Sequence, residues 1–383
     1  MFTRSAARRR FVAMAAAGML PALLGSGSRT RAAAVDAVHT VQAVHALHDE
    51  ATATPGRILR FPADEGSHPQ FRLEWWYVTG WLVDEAKRDL GFQLTFFRNR
   101  VGDMRGNPSR FAAGNLILAH AALSDPRRGR LLHAQQVGRA AFGLADAGEG
   151  RTDVHIGKWS LRAEGAERLR AVAIERELRL ELDLQRTQPP LLQGDAGFSR
   201  KGPSPESASH YYTLPHLLVA GAIATGSAAP QRVTGVAWLD HEWSSAYMEK
   251  SATGWDWIGI NLDDGGALMA FRMRDAGGRT LWNGATLRDR EGRTTSFDTG
   301  QVRWNAVRTW QSSRTGAAYP VEWRIGIGQL DVTITPLFDD QEQDARATTG
   351  TVYWEGAVTA HEGDRVTGRG YLELTGYWRS FRI

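Results

Sequence analysis

Leu178-Arg179-Leu180-Glu181-Leu182-Asp183-Leu184 alternates apolar and charged side chains without a break. Successive side chains on a strand point to opposite faces, so the leucines share one face and the charges the other. The stretch reads as a half-buried strand, dry on one side and wet on the other. Val321-Glu322-Trp323-Arg324-Ile325 and Leu330-Asp331-Val332-Thr333-Ile334 repeat the pattern. Turn signals punctuate such runs: Asp263-Asp264-Gly265-Gly266, Asp275-Ala276-Gly277-Gly278 and Arg290-Glu291-Gly292. Strands do not alternate regularly with long amphipathic helices, which argues against a parallel α/β sheet. The pattern predicts an all-β chain of short antiparallel strands, closed as barrels or stacked as a sandwich.

Two stretches match across the chain. Trp75-Trp76-Tyr77-Val78-Thr79-Gly80-Trp81-Leu82-Val83-Asp84 lies well on Trp255-Asp256-Trp257-Ile258-Gly259-Ile260-Asn261-Leu262-Asp263-Asp264. The strands that follow, Gly91 to Phe96 and Gly266 to Phe271, match as well. A hairpin that recurs in this way indicates two domains of one architecture. The expected boundaries are residues 58–248 and 249–383.

The first 34 residues stand apart. They carry Arg4, Arg8, Arg9, Arg10, Arg29 and Arg31 and no acid. A run of apolar and small residues from Phe11 to Leu24 follows, and Ala32-Ala33-Ala34 closes the segment, which is the order of an export signal. Arg8-Arg9-Arg10-Phe11-Val12 fits the twin-arginine pattern. The expectation is export by that route, with cleavage near Ala34, to the periplasm or outside the cell. Residues 35–57 read as a short helix or loose lead-in ending at Pro55-Gly56.

Removing residues 1–34 leaves 40 basic against 42 acidic side chains, so the formal +4 of the whole chain belongs to this segment. No nucleic-acid or anionic-membrane partner is therefore expected. No later stretch reaches transmembrane length, so the chain reads as not integral to a membrane. The chain has no Cys, which excludes disulfides, a thiol nucleophile and Cys-ligated metal centres.

The densest chemistry lies in Val236-Ala237-Trp238-Leu239-Asp240-His241-Glu242-Trp243-Ser244-Ser245. On a strand, Ala237, Leu239, His241 and Trp243 share the apolar face, and Trp238, Asp240 and Glu242 the other. His241 then points into a barrel, where an imidazole can move a proton near neutral pH. Trp243 offers a π-face to a developing positive charge. The same pattern fits a core His bonded to a carbonyl, with Asp240 and Glu242 in surface or interdomain ion pairs. In Glu74-Trp75-Trp76-Tyr77, Glu74 and Trp76 share one face and Trp75 and Tyr77 the other. Glu74 reads as a proton donor with a raised pKa at a barrel mouth, or as the partner of one of the many Arg. Asp256, between Trp255 and Trp257, is the corresponding acid of the second repeat. In Ser207 to Pro215, His210, Tyr211 and Tyr212 read either as ligand contacts or as a strand edge closing the first domain.

No P-loop, dinucleotide fingerprint, G-x-S-x-G elbow or zincin motif occurs, and the His residues show no ligand spacing. No metal and no cofactor are expected.

Together these segments resemble the carotenoid 1,2-hydratase (hydroxyneurosporene synthase) superfamily, in its AttH-like secreted branch. The resemblance rests on Glu74 to Gly80, Ser207 to Pro215, Trp238 to Ser244, Gly254 to Trp257 and Gly370 to Tyr377. It implies two lipocalin-like antiparallel β-barrels packed side by side and a hydrophobic ligand site. It also implies cofactor-free addition of water to an isoprenoid double bond. His241 and Trp243 match the Asp-His-x-Trp motif to which the hydratases assign catalysis. Their Tyr-x-Asp pair, one hairpin later, is replaced here by Leu268-Met269-Ala270-Phe271-Arg272-Met273.

Three functions follow from these readings. The first is a hydratase, with His241, Glu74, Asp240 or Asp256 as acid and Trp243 against the cation. The second is a non-catalytic lipid-binding or carrier protein that partners a lipid-transport system. The third is a secreted hydrolase, for which no nucleophile–base pair is visible. In the first two, Trp75, Trp76, Tyr77, Tyr211, Tyr212, Trp255 and Trp257 are the expected ligand contacts, and the partner is a hydrophobic small molecule or lipid.

Overall fold

The alternating stretches become strands because each can bury one face and leave the other to solvent or to a second layer. The computed structural model describes residues 50–102, 107, 109, 112 and 114–381. The export signal read in residues 1–34 and the lead-in up to residue 49 lie outside the described residues. Residues 50–57 run as irregular chain with one turn.

The first sheet holds β1 (Leu73–Asp84), β2 (Asp89–Arg100), β3 (Asn115–Ser124), β4 (Leu132–Arg139), β5 (Ala145–Ala147), β6 (Asp153–Ile156), β7 (Trp159–Ala163), β8 (Arg168–Ile174), β9 (Leu178–Gln185), β10 (Leu191–Leu192), β11 (Phe198–Arg200), β12 (Ala208–Thr225) and β13 (Gln231–Ala246). The second holds β14 (Gly254–Leu262), β15 (Ala267–Arg274), β16 (Thr280–Arg288), β17 (Thr294–Phe297), β18 (Val302–Gln311), β19 (Ala318–Ile327), β20 (Leu330–Pro336), β21 (Glu342–Ala345), β22 (Thr351–Glu362) and β23 (Arg365–Leu374). Every strand pairing between them is antiparallel. Helix among the described residues is confined to single 3-10 turns, and none is long and apolar enough to cross a membrane.

One strand order recurs. The path β4-β3-β2-β1-β13-β12-β9-β8-β7 in the first sheet is matched by β17-β16-β15-β14-β23-β22-β20-β19-β18 in the second. In both, the last long strand returns to pair with the first. The pairing also corrects the sequence alignment of the two hairpins. Matching aromatics set Asp256 beside Trp76, whereas Asp256 lies opposite Arg272 as Glu74 lies opposite Arg98. The second hairpin is shorter, and an ungapped match cannot absorb the difference.

Both sheets curl on themselves. A Cβ at Gly138 on β4 would stand 3.1 Å from Ile156 Cδ1 on β6, so the ends of the first sheet meet. In the second, Asn283 Nδ2 on β16 donates to the Val302 carbonyl of β18 at 2.9 Å. The fold is thus all-β, with two antiparallel sheets of lipocalin-like barrel form. Trp76, Leu94, Leu182 and Trp243 are among the residues filling the first barrel. Ile258, Trp323, Trp354 and Leu372 are among those filling the second.

A third buried layer lies between the sheets. It joins Tyr77, Trp81, Tyr211 and Trp238 to Trp257, Met269, Phe271 and Tyr371. The sheets approach closely here: a Cβ on Gly91 would stand 2.7 Å from Tyr371 Oη, so only glycine fits. Ser207 to Pro215 is not a strand edge as one reading had it. It lies largely in β12, where it pairs with β13 on one side and with the short β10 and β11 on the other, because its alternation gives it a core face and a seam face.

Candidate functional site

The residues singled out in the sequence separate into three places, because each strand wall has two buried faces. Glu74, Trp76, Tyr212, His241 and Trp243 point into the first barrel. Trp75, Tyr77, Tyr211, Trp255 and Trp257 belong to the seam between the sheets, and so does Asp240, which is bonded to Trp238. Asp256 lies inside the second barrel.

In the first barrel, β13 carries His241 and β1 carries Glu74, two residues apart in register. His241 Nε2 lies 2.9 Å from Glu74 Oε1, and His241 Nδ1 lies 3.2 Å from Tyr212 Oη. A carboxylate only accepts, so Nε2 carries the hydrogen and Nδ1 accepts from the tyrosine. His68, which sequence reasoning missed, completes the chain. Its Nδ1 lies 2.7 Å from Glu74 Oε1 and its Nε2 3.0 Å from Asp64 Oδ1. Both nitrogens face carboxylates, so both carry hydrogen and His68 is an imidazolium. Its ring stacks on Trp243 at 3.8 Å between centroids and 8° between planes. Arg98 Nε donates to Glu74 Oε2 at 2.9 Å.

These partners correct three expectations. Burial alone would raise the Glu74 carboxyl, but hydrogen bonds from His241 and His68 and the Arg98 charge hold it far below its ordinary value. Glu74 is therefore a carboxylate and not a proton donor. Burial lowers His241, against the pull of Glu74, so His241 is neutral and not the imidazolium acid. Burial would lower His68 too, but Asp64 and Glu74 hold it above its ordinary value. The face of Trp243 expected to meet a substrate cation is covered by that imidazolium.

His68, Glu74 and His241 each offer a ligand atom within 4.8 Å of the others, a juxtaposition across 173 residues that spacing in the sequence did not suggest. A divalent ion would have to displace the hydrogens that bind the three groups to one another. Two shared protons already occupy the ligand atoms, and Arg98 supplies the positive charge that Glu74 needs. The group is a hydrogen-bonded chain from Arg57 and Asp64, near the surface, to buried Tyr212.

In the second barrel Asp256 is bound by Arg272, by Arg274 Nε at 3.1 Å and by Tyr377 Oη at 2.9 Å. Its oxygens are engaged by two guanidinium groups. This overturns its reading as a free acid.

The seam is different. Asp240, Glu242 and Glu355 are buried there, and Glu373 is partly exposed. Glu355 and Glu373 lie directly opposite one another on β22 and β23. Asp240 Oδ1 accepts from Thr213 Oγ1 at 2.5 Å and from Trp238 Nε1 at 2.8 Å. Burial pushes the Asp240 carboxyl up to about 7, against the pull of Thr213, Tyr211 and Trp238. Desolvation pushes Glu373 up to about 7, against a hydrogen bond from Trp255. It raises Glu355 well above the carboxylate range, with the Glu373 charge adding to it. Tyr77 and Tyr353 face the Glu355 carboxyl, and Ser124 faces the Tyr371 hydroxyl. Trp257 Nε1 donates to Tyr211 Oη across the seam at 3.1 Å. A cavity of about 360 Å³ opens at one edge, walled by Trp81, Val236, Trp238, Leu262 and Arg369, a size and lining suited to a small molecule. Sequence reasoning missed Glu355, Glu373 and Lys201. Acids set in apolar runs such as Tyr353-Trp354-Glu355-Gly356 and Tyr371-Leu372-Glu373-Leu374 were the available signal.

Fold and seam define a double lipocalin-like β-barrel protein with a carboxyl-rich, aromatic-walled layer between its sheets. The chain belongs to the AttH-like family, whose model matches residues 52–377. It is 49% identical to an AttH candidate of Nitrosomonas europaea solved by crystallography, with a TM-score of 0.81 over 85% of this chain and 99% of that one. Kievitone hydratase of Fusarium solani subsp. phaseoli is 24% identical over 235 residues, which span 58% of this chain and 65% of that enzyme. The crystal structure of kievitone hydratase from Nectria haematococca shares the fold, with a TM-score of 0.64 at 15% identity, over 86% of this chain and 97% of that one.

Proposed function

We propose that this chain binds a hydrophobic, isoprenoid- or lipid-like molecule in the seam and adds water to an alkene there by acid catalysis. The observation that carries the reading is the balance of charge. Asp240, Glu242, Glu355 and Glu373 share a desolvated layer, and only Glu242 among them is bound to a buried lysine, Lys201, so the seam retains protons at neutral pH. Asp240 is the acid best placed to act, since it touches the cavity wall through Trp238. Its proton passes to the terminal alkene carbon, the π electrons forming the new C–H bond. The resulting tertiary cation rests against the indoles of the cavity wall, Trp238 and Trp81. Water then adds to it. The hydratase among the relatives supports the reaction class.

A carrier that holds its lipid unchanged in the same seam is the second reading. The absence of Tyr and Asp from Leu268-Met269-Ala270-Phe271-Arg272-Met273, where the hydratases carry their Tyr-x-Asp pair, favours it. The test is incubation of the protein with a lipid extract of its own cells in isotopically heavy water, followed by mass spectrometry. A lipid that gains one labelled water, only with Asp240 intact, supports the hydratase. A co-purifying lipid without labelled product makes the chain a carrier.

The export reading sets this chemistry in the periplasm or outside the cell. It rests on the arginine run and the apolar stretch of residues 1–34. Fractionation of cells carrying Arg8→Lys with Arg9→Lys tests it, retention inside the cell being the expected result.

A further inference from the structure

We infer that Glu242 and Lys201 form the water-activating half of the seam, Glu242 taking the proton of the attacking water and Lys201 holding its carboxylate ionised. The inference rests on the hydratase reading above and assigns the base that reading leaves open.

The argument is one of donors. Asp240 and Glu242 stand two residues apart on the seam face of β13. Asp240 receives hydrogen bonds from a threonine hydroxyl and an indole, both neutral. Glu242 receives the Ser209 hydroxyl and, at 2.9 Å, the ammonium of Lys201. Burial raises both carboxyls, but at Glu242 the bound ammonium and the Ser209 hydroxyl pull back toward the ionised form, whereas Asp240 has only neutral donors to oppose its burial. Two carboxyls with such different partners in one site divide naturally into acid and base.

Lys201 is built into its place. It is buried, Ser199 Oγ lies 3.0 Å from Nζ, and the rings of Phe271, Tyr211 and Tyr247 lie 4.3, 4.8 and 5.5 Å from it. Phe271 comes from the second sheet, so the cation is positioned by both. The groups facing Glu242 are Lys201, Ser209 and Tyr211 from the neighbouring strands, Asp240 on its own, Tyr247 beyond it, and Glu373 across the seam.

The step balances. As the water oxygen forms the C–O bond to the tertiary cation, the electrons of one of its O–H bonds return to oxygen and that proton passes to Glu242. The product is a tertiary alcohol, with Asp240 ionised and Glu242 protonated. Return of one proton from Glu242 to Asp240 restores both.

The test is infrared spectroscopy of the full chain at neutral pH, reading the C=O stretch of protonated carboxyls, which needs no substrate. The wild type should show the band, Asp240→Asn should weaken it and Glu242→Gln should leave it undiminished. Lys201→Met should strengthen it as Glu242 takes up a proton, whereas Lys201→Arg should match the wild type. A band weakened by Glu242→Gln, or unchanged in Lys201→Met, overturns the assignment. Where Lys201→Met fails to fold, the neutral pair Lys201→Met with Glu242→Gln should fold and show the wild-type band, and a strengthened band there overturns the assignment. The expected band pattern in a protein that forms no labelled product overturns the hydratase reading and leaves the ionised pair standing.

Discussion

Trp238 lines the cavity at the edge of the seam and donates its indole N–H to Asp240 Oδ1 at 2.8 Å. A molecule in the cavity therefore touches the hydrogen-bond partner of the seam's best-placed acid. That indole bond favours the ionised carboxyl, against burial. Trp238→Phe keeps most of the apolar wall and removes the donor. It is expected to raise the Asp240 carboxyl further, checked by carbon NMR titration of the labelled side chain.

Asp240 should also leave a signature in stability. Its carboxyl ordinarily titrates at 3.8 and is held up to about 7 in the folded chain by burial. Between these values the folded state holds the proton and the unfolded state does not, so this group's contribution to stability falls as pH rises across that interval and is level above it. Asp240→Asn should flatten that part of the profile, measured by urea unfolding at a series of pH values.

His68 titrates with a related sign at higher pH. Its folded value lies above the ordinary 6.5 because Asp64 and Glu74 both accept from the imidazolium. Its stabilisation is complete below 6.5 and is lost as pH rises through the folded value. His68→Gln should remove this alkaline decline, read from the same unfolding series.

Arg98 and Glu74 are each buried and each answers the other's charge. Arg98→Met should destabilise the chain by about 3–5 kcal/mol, since it leaves a buried carboxylate short of its cation. Adding Glu74→Gln should restore part of the loss. Equilibrium unfolding of both variants decides this.

Excess zinc should leave the thermal midpoint unchanged, because the shared protons of His68, Glu74 and His241 and the charge of Arg98 compete with a divalent ion. A midpoint that rises with zinc, and no longer does so in His68→Gln, would identify coordination instead.

Much of the site was legible at the level of strand faces. Alternation alone assigned His241 to a barrel interior and Asp240 and Glu242 to the opposite side, and the strands obey it. It could not say that the opposite side is also buried, because an outward face looks the same whether it meets water or a second sheet. The chemistry was accordingly sought at His241 and Glu74, whose partners His68 and Arg98 make them a closed ionic chain. The duplicated hairpin was visible in its aromatics, but its true register, with Asp256 in the place of Glu74, required the pairing of β14 with β15.

The amino-acid sequence by itself determined the strands, the face each side chain takes and the kinship of the two sheets, because these follow from local alternation and turn chemistry. Only the tertiary structure decided which buried carboxyls keep their protons. Ionisation in a desolvated layer is set by the nearest charge, and those charges arrive from far along the chain: Lys201 beside Glu242, Arg98 beside Glu74, and Glu373 across the seam from Glu242.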